Sequence, residues 1–255
     1  MENPVIFAGA GPGDPDLVTV KAQKALKAAD LVIYAGSLVP EALLSWTKDQ
    51  AETVNSASMT LDEIIAMVEK GYAANQKIVR LHTGDPSLYG AIFEQTRELE
   101  ARGIPFTVIP GVTAGFGAAA AMGMEYTLPE VTQTLIFTRI SGRTPVPEEE
   151  SLESLAAHKA SMAIYLSIAH VEKVQTILAR HYGEESLVAV VHKVSHPDEK
   201  IVITPVRELA ATVKKEKIQR QALILAGKAV EASTNRTSIG NSLLYDPAFS
   251  HGFRK

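Results

Sequence analysis

The sequence contains no cysteine, which excludes disulfides, thiolate metal sites and cysteine nucleophiles together. No stretch approaches the roughly 20 consecutive apolar residues that a membrane-spanning helix needs. Positive charge is not in excess either: 25 Lys and Arg against 29 Asp and Glu leave a formal net charge of −4. General affinity for nucleic acid needs clustered cations, so neither a nucleic-acid partner nor a membrane is expected. Met1-Glu2-Asn3-Pro4 has no basic flank and no signal-length apolar core, which predicts a cytoplasmic protein. What is present suffices for a core. A chain of 255 residues, 46% of them hydrophobic, predicts two modest domains or one large one.

Over the first 110 residues, apolar runs alternate with helical patterns. Strands are predicted at 5–8, 31–34, 51–55, 77–81 and 106–109, with helices at 18–29, 41–46, 60–74 and 88–102 between them. Thr60 and Glu63 have the spacing of a capping box, with Thr60 as N-cap. This βαβα order implies a mostly parallel five-stranded sheet covered by helices on both faces. After Gly123 the strands lengthen (134–140, 162–167, 187–194, 200–204, 221–229) and the helices (152–158, 171–181, 206–215) recur less regularly, which suggests a second α/β domain with a mixed sheet. The expected division is 1–115, 116–232 and a loosely ordered polar tail at 233–255.

The three loops richest in glycine and proline, 9–15, 83–90 and 110–117, all follow strands of the first sheet and should converge at its carboxyl edge. The first reads Gly9-Ala10-Gly11-Pro12-Gly13-Asp14-Pro15-Asp16. A glycine turn between strand and helix lets a ligand approach bare backbone, but here two carboxylates would repel a pyrophosphate. Pro12 and Pro15 also remove two N–H groups that would cradle it. The second strand, 31–34, ends without the acidic residue that binds ribose in dinucleotide sites. The loop is built for a ligand other than NAD.

Other polar residues have structural readings beside functional ones. Asp85 fits a helix N-cap near Ser87 as well as a ligand contact, and is a weak candidate for a general base. His82 stands at a strand end where it could meet a ligand or remain structural. His192 and His196, four apart on strand and turn, lie about 13 Å apart, so no protein-bound metal is expected. Glu148-Glu149-Glu150 read as the acidic first turn of the helix near Leu152.

Three motifs in order, GAGPGDPDLVTVKA at 9–22, HTGDPSLYG at 82–90 and PGVTAGFGAAA at 110–120, closely resemble the tetrapyrrole methyltransferase family over residues 4–230. The resemblance implies two α/β domains with S-adenosylmethionine bound in the cleft between them. By that likeness Pro12, Thr83, Gly84, Asp85, Leu88, Thr113 and Ala114 would line the donor site. Leu166 in Ile164-Tyr165-Leu166-Ser167 and Ala222 in Gln221-Ala222-Leu223-Ile224 would add contacts. Within the family, segments 133–147, 82–90 and 195–202 resemble the branch that methylates precorrin-4 at C11 in cobalamin synthesis. Tyr89-Gly90-Ala91 departs from the uroporphyrinogen branch. Whether the acceptor carries cobalt stays open, as do another ring carbon and a non-tetrapyrrole acceptor such as rRNA.

The implied acceptor is a polycarboxylate tetrapyrrole. On an acidic protein it needs local cations, and Arg139 and Arg143 flank a glycine-containing loop suited to bidentate carboxylate pairing. With His82 they form the predicted acceptor set. The family likeness also implies a homodimer.

Overall fold

In the computed structural model the described residues are 3–36, 39, 41–236, 242, 249, 250 and 252. Nearly all of the expected tail therefore lies outside the described residues. The chain divides into two compact units. One comprises Met1–Gly117 with Ser195–Pro197, and the other Ala118–Val194 with Asp198–Lys255.

The first unit runs β1 (Val5–Gly9), α1 (Val20–Ala28), β2 (Leu31–Tyr34), α2 (Glu41–Leu44), β3 (Glu52–Asn55), α3 (Leu61–Ala73), β4 (Ile78–His82), α4 (Ile92–Ala101) and β5 (Phe106–Ile109). Its sheet has the order β3-β2-β4-β1-β5, and every pair is parallel. The central strands are apolar almost without break because both faces are covered. On one face, Ala22 and Leu26 of α1 and Leu43 of α2 pack on Ala8, Val32 and Leu81. On the other, Ile65 and Val68 of α3 and Leu99 of α4 pack on Phe7, Ile33 and Ile78. At the start of α3 the capping box forms as expected. The Thr60 amide donates to Glu63 Oε2 at 2.7 Å, and the Glu63 amide to Thr60 Oγ1 at 3.3 Å.

α5 (Ala114–Met122) carries the chain across the division between Gly117 and Ala118. The second unit continues through β6 (Leu135–Arg139), α6 (Leu152–Ala156), β7 (Ser161–Tyr165), α7 (Val171–Tyr182), β8 (Leu187–His192), β9 (Lys200–Pro205), α8 (Leu209–Lys215), β10 (Ala222–Ala226) and α9 (Lys228–Thr234). Its order is β6-β7-β10-β8-β9; only β6 and β7 run parallel. The parallel-then-mixed architecture expected from the sequence is the one observed. Ile164, Val190 and Ile224 of this sheet bury against Val174 and Leu178 of α7 and Leu209 of α8.

Three local expectations need correction. The helix expected from residue 88 begins only at Ile92, because Tyr89 (φ 56°) and Ala91 (φ 48°) take left-handed backbone that no helix continues through. Glu148–Glu150 form a separate 3₁₀ turn, and α6 is capped instead by the Ser151 hydroxyl. The helix expected from residue 18, after the first glycine loop, begins at Val20. Asp14 caps a short turn at Pro15–Leu17, and α1 starts later under a cap from Thr19 Oγ1. The Ala22 amide at that helix start is thus already engaged by the Thr19 side chain.

Candidate functional site

The three glycine loops of the first unit do converge, and they meet main chain to main chain. A methyl group placed on Gly9 would stand 2.5 Å from the Gly84 carbonyl oxygen and 2.6 Å from Gly111 Cα. Gly111 is equally closed in, by Gly84 and Gly9. Only a residue without Cβ fits at either position. Gly11 and Gly84, both at positive φ, form an isolated antiparallel bridge. The Gly84 amide donates to the Gly11 carbonyl at 2.9 Å, and the Ala10 amide to that of His82 at 2.7 Å.

Asp85 fastens this junction. One carboxylate oxygen accepts the Gly111 amide at 2.8 Å. The other accepts the Ser87 amide at 2.8 Å and the Ser87 hydroxyl. Partial burial would raise its pKa, but these three donors outweigh burial and hold the carboxyl below its ordinary value. An ionised carboxylate already accepting on both oxygens is a poor proton acceptor for catalysis. It does not cap a helix either; it closes the 85–88 turn, where the Leu88 amide meets the Asp85 carbonyl at 3.2 Å.

The remaining expected donor residues of this unit lie in the same loops. Pro12 is buried, Thr83 and Leu88 are half-buried, and Thr113 is buried with Ala114 half-buried beside it. An added Cβ at Gly84 would lie 3.7 Å from Thr113 Cα, which measures how near the second and third loops approach. The Thr113 carbonyl accepts the Phe116 and Gly117 amides and opens α5. Apart from Asp85 the set is uncharged. Such a cradle of backbone and small side chains fits a donor that carries a positive sulfonium and no phosphate.

His82 requires correction as an acceptor contact. Its ring is only 3% exposed and stacks on Phe7 at 5.9 Å between centroids. Burial, with the nearby Arg80 charge, pushes its pKa down to about 3 and keeps it neutral. A ligand over the loops would meet its backbone, not its imidazole.

In the second unit, Leu166 follows β7 at φ 54° and is 69% exposed. An aliphatic side chain at once exposed and in left-handed backbone carries strain of the kind that gathers at ligand sites. The buried Ser167 hydroxyl secures the turn, donating to the Tyr165 carbonyl at 2.6 Å and accepting the Ile140 amide at 2.9 Å. Ala222 is half-buried at the start of β10. Arg139 is turned onto its own loop. Its guanidinium donates to the Thr144 carbonyl at 3.0 Å and the Pro145 carbonyl at 2.8 Å. Arg143 is exposed. The same loop lends Ile140, Ser141 and Val146 to a cavity of about 350 Å³, whose far wall includes Lys173 and Arg180 of α7.

Sequence reasoning placed Gly9, Gly111 and Ser87 in the three converging loops and assigned none of them a contact of its own; the packing of Gly9 on Gly84 and Gly111, and the bond from Ser87 to Asp85, emerge only in the structure. The sequence had no signal for the cavity, which forms from residues distant in the chain.

A family model described as tetrapyrrole (corrin/porphyrin) methylases matches residues 4–210. A cobalt-precorrin-4 C(11)-methyltransferase of Methanocaldococcus jannaschii is 50% identical over 252 residues, 98% of this chain and 96% of that protein. A precorrin-4 C(11)-methyltransferase of Pseudomonas aeruginosa is 44% identical over 250 residues, 98% of each chain. Among solved structures, a cobalt precorrin-4 methyltransferase aligns with a TM-score of 0.88 and 45% identity, covering 90% of this chain and 96% of its own. A uroporphyrin-III C-methyltransferase of Thermus thermophilus, solved with S-adenosyl homocysteine, aligns at 0.75 with 26% identity, over 90% and 99% of the two chains.

Proposed function

The chain belongs to the tetrapyrrole (corrin/porphyrin) methylases, and from that premise we propose that it methylates C11 of precorrin-4 or cobalt-precorrin-4, using S-adenosylmethionine. The observation that carries this reading is 44–50% identity, over nearly the whole chain, to relatives so named in both the cobalt-bearing and the metal-free form. The S-adenosyl homocysteine bound to the Thermus relative, which is the donor less its methyl group, supports the choice of donor.

Held by Pro12, Thr83, Gly84, Asp85, Leu88, Thr113 and Ala114, the donor supplies an electrophilic methyl on a sulfonium that is its own leaving group. An electron-rich ring carbon attacks without help from a protein nucleophile. The chain's own work is therefore alignment and exclusion of water, which can be worth roughly 7–11 kcal/mol. Asp85 is assigned the part of fastening the loops, in place of the general-base part. Leu166 and Ala222 are assigned as further donor contacts.

Carboxylates of the acceptor are assigned to Arg143 and to Lys173 in the adjoining cavity, with Arg139 shaping the loop between them. The net charge of −4 favours a small-molecule acceptor over RNA. A cytoplasmic homodimer is part of the proposal, and light scattering on the purified protein tests the dimer.

The deciding experiment incubates the protein with carbon-13-methyl S-adenosylmethionine and either metal-free precorrin-4 or its cobalt complex, then locates the label by NMR. Label at C11 is expected, and the better acceptor assigns the metal state. Label on another carbon overturns the position, and no transfer to either acceptor overturns the substrate.

A further inference from the structure

Loop 83–91 lies above an unusual piece of buried polarity. Arg80 is on β4, the strand that emits the loop, and is 5% exposed. Gln95 is on α4, the helix that receives the loop, and is 6% exposed. Arg80 Nη1 donates to the Ile33 carbonyl of β2 at 3.1 Å, and its Nε donates to Gln95 Oε1 at 3.0 Å. Gln95 Nε2 in turn donates to the Ala91 carbonyl at 2.9 Å. Three hydrogen bonds thus run from the sheet interior to the last residue of the loop.

The end of that chain is where support is needed. Ala91 at φ 48° and Tyr89 at φ 56° are left-handed without being glycine, a conformation that persists only where the surroundings hold it. Between them Gly90 is pressed so closely on the Pro86 carbonyl that no Cβ fits. A free loop would relax. The other end of the loop is fastened by Asp85 to Gly111. Ala91 has no side-chain cap of its own, and the Gln95 amide reaches its carbonyl from the first turn and a half of α4.

We propose that Arg80 and Gln95 are positioning residues, which hold loop 83–91 from beneath in the conformation that binds the methyl donor. The inference rests on the reading of this loop as a donor loop. Neither side chain touches the donor; both act through Ala91. The chemistry of the pair follows. Arg80 gives a fixed, always-charged donor anchored on the sheet, and Gln95 is the one neutral side chain of its length that accepts from Arg80 and donates to Ala91 together.

Gln95→Glu separates positioning from mere packing. It leaves an acceptor for Arg80, so the fold is retained, but it sets a carboxylate oxygen against the Ala91 carbonyl in place of a donor. The expected result is a roughly tenfold weaker Kd for S-adenosylhomocysteine by calorimetry, in line with one lost hydrogen bond and one new repulsion. kcat at saturating donor should hold, and the circular dichroism spectrum should match the wild type. Without ligand, chymotrypsin should cleave after Tyr89, which is 44% exposed, several times faster than in the wild type. Gln95→Met, which removes both bonds, is expected to show the same loosening with lower thermal stability.

Unchanged affinity and an unchanged cleavage rate in Gln95→Glu would overturn the proposal. If the wild-type protein binds no S-adenosylhomocysteine, the donor reading fails, while the ligand-free cleavage comparison still decides whether the clamp holds the loop.

Discussion

Asp85 and Gly111 are 26 residues apart in the chain, and a carboxylate oxygen of the first accepts the amide proton of the second at 2.8 Å. That bond ties the loop after β4 to the loop after β5 at the point where both face Gly9. Asp85→Ala frees the Gly111 and Ser87 amides at once. It is expected to cost about 1 kcal/mol of stability and to weaken S-adenosylhomocysteine at least tenfold, read by urea denaturation and calorimetry. Asp85→Asn keeps one acceptor oxygen and should fall between.

The acid side of donor binding follows from the same carboxylate. Its folded pKa lies below the ordinary 3.8 because hydrogen bonds from Ser87 and Gly111 outweigh burial. The fastening is therefore complete above that ordinary value and is lost as pH falls through the lower, folded one. Donor affinity should be flat across neutral and mildly acidic pH and drop only below about pH 4. A drop near pH 6 would point to a different group.

His82 is expected to shape stability on the acid side and to leave acceptor recognition alone. Its folded pKa is about 3 against an ordinary 6.5, so the unfolded chain binds a proton that the folded one refuses. Stability should thus decline as pH falls below about 6.5, by up to about 1.4 kcal/mol per pH unit. His82→Phe, which can still pack on Phe7, should flatten that slope in urea denaturation across pH. Acceptor KM should not change.

Gly9→Ala drives a methyl group into the Gly84 carbonyl and Gly111 Cα, all of them backbone. The loops must part, with a loss of about 1–3 kcal/mol. Donor binding is expected to vanish from calorimetry while far-ultraviolet circular dichroism still reports a folded protein.

Leu166→Gly should make the protein more stable and worse at binding its donor. Left-handed backbone costs a non-glycine residue about 1–2 kcal/mol, and glycine returns roughly half of that through its own chain entropy. A small rise in Tm with a several-fold weaker Kd is the expected pair of results. A rise in Tm with unchanged Kd would remove Leu166 from the site.

Much of the fold was legible because its signals are local. The capping pair Thr60 and Glu63 is three residues apart, and the apolar strands announce a sheet covered on both sides. Convergence of the glycine loops followed from parallel topology alone. The start of α4 was illegible because only Gly90 in Leu88-Tyr89-Gly90-Ala91 opposes a helix by composition. What excludes the helix is the left-handed backbone of Tyr89 and Ala91, which neither residue type announces. Burial of His82 and the inward turn of Arg139 were hidden for a related reason. Each depends on which partner stands opposite, Phe7 in one case and the Thr144 and Pro145 carbonyls in the other.

Where Gly9, Gly84 and Gly111 touch, the loops of the proposed donor site meet through polypeptide spine, the one component that the genetic code cannot vary. Point mutation can wreck such a junction but has almost no means of adjusting it. Lineages descending from this scaffold would then inherit the grip on the donor unaltered, and novelty in what they modify would have to arise at positions with side chains to change, such as the exposed loop bearing Arg143.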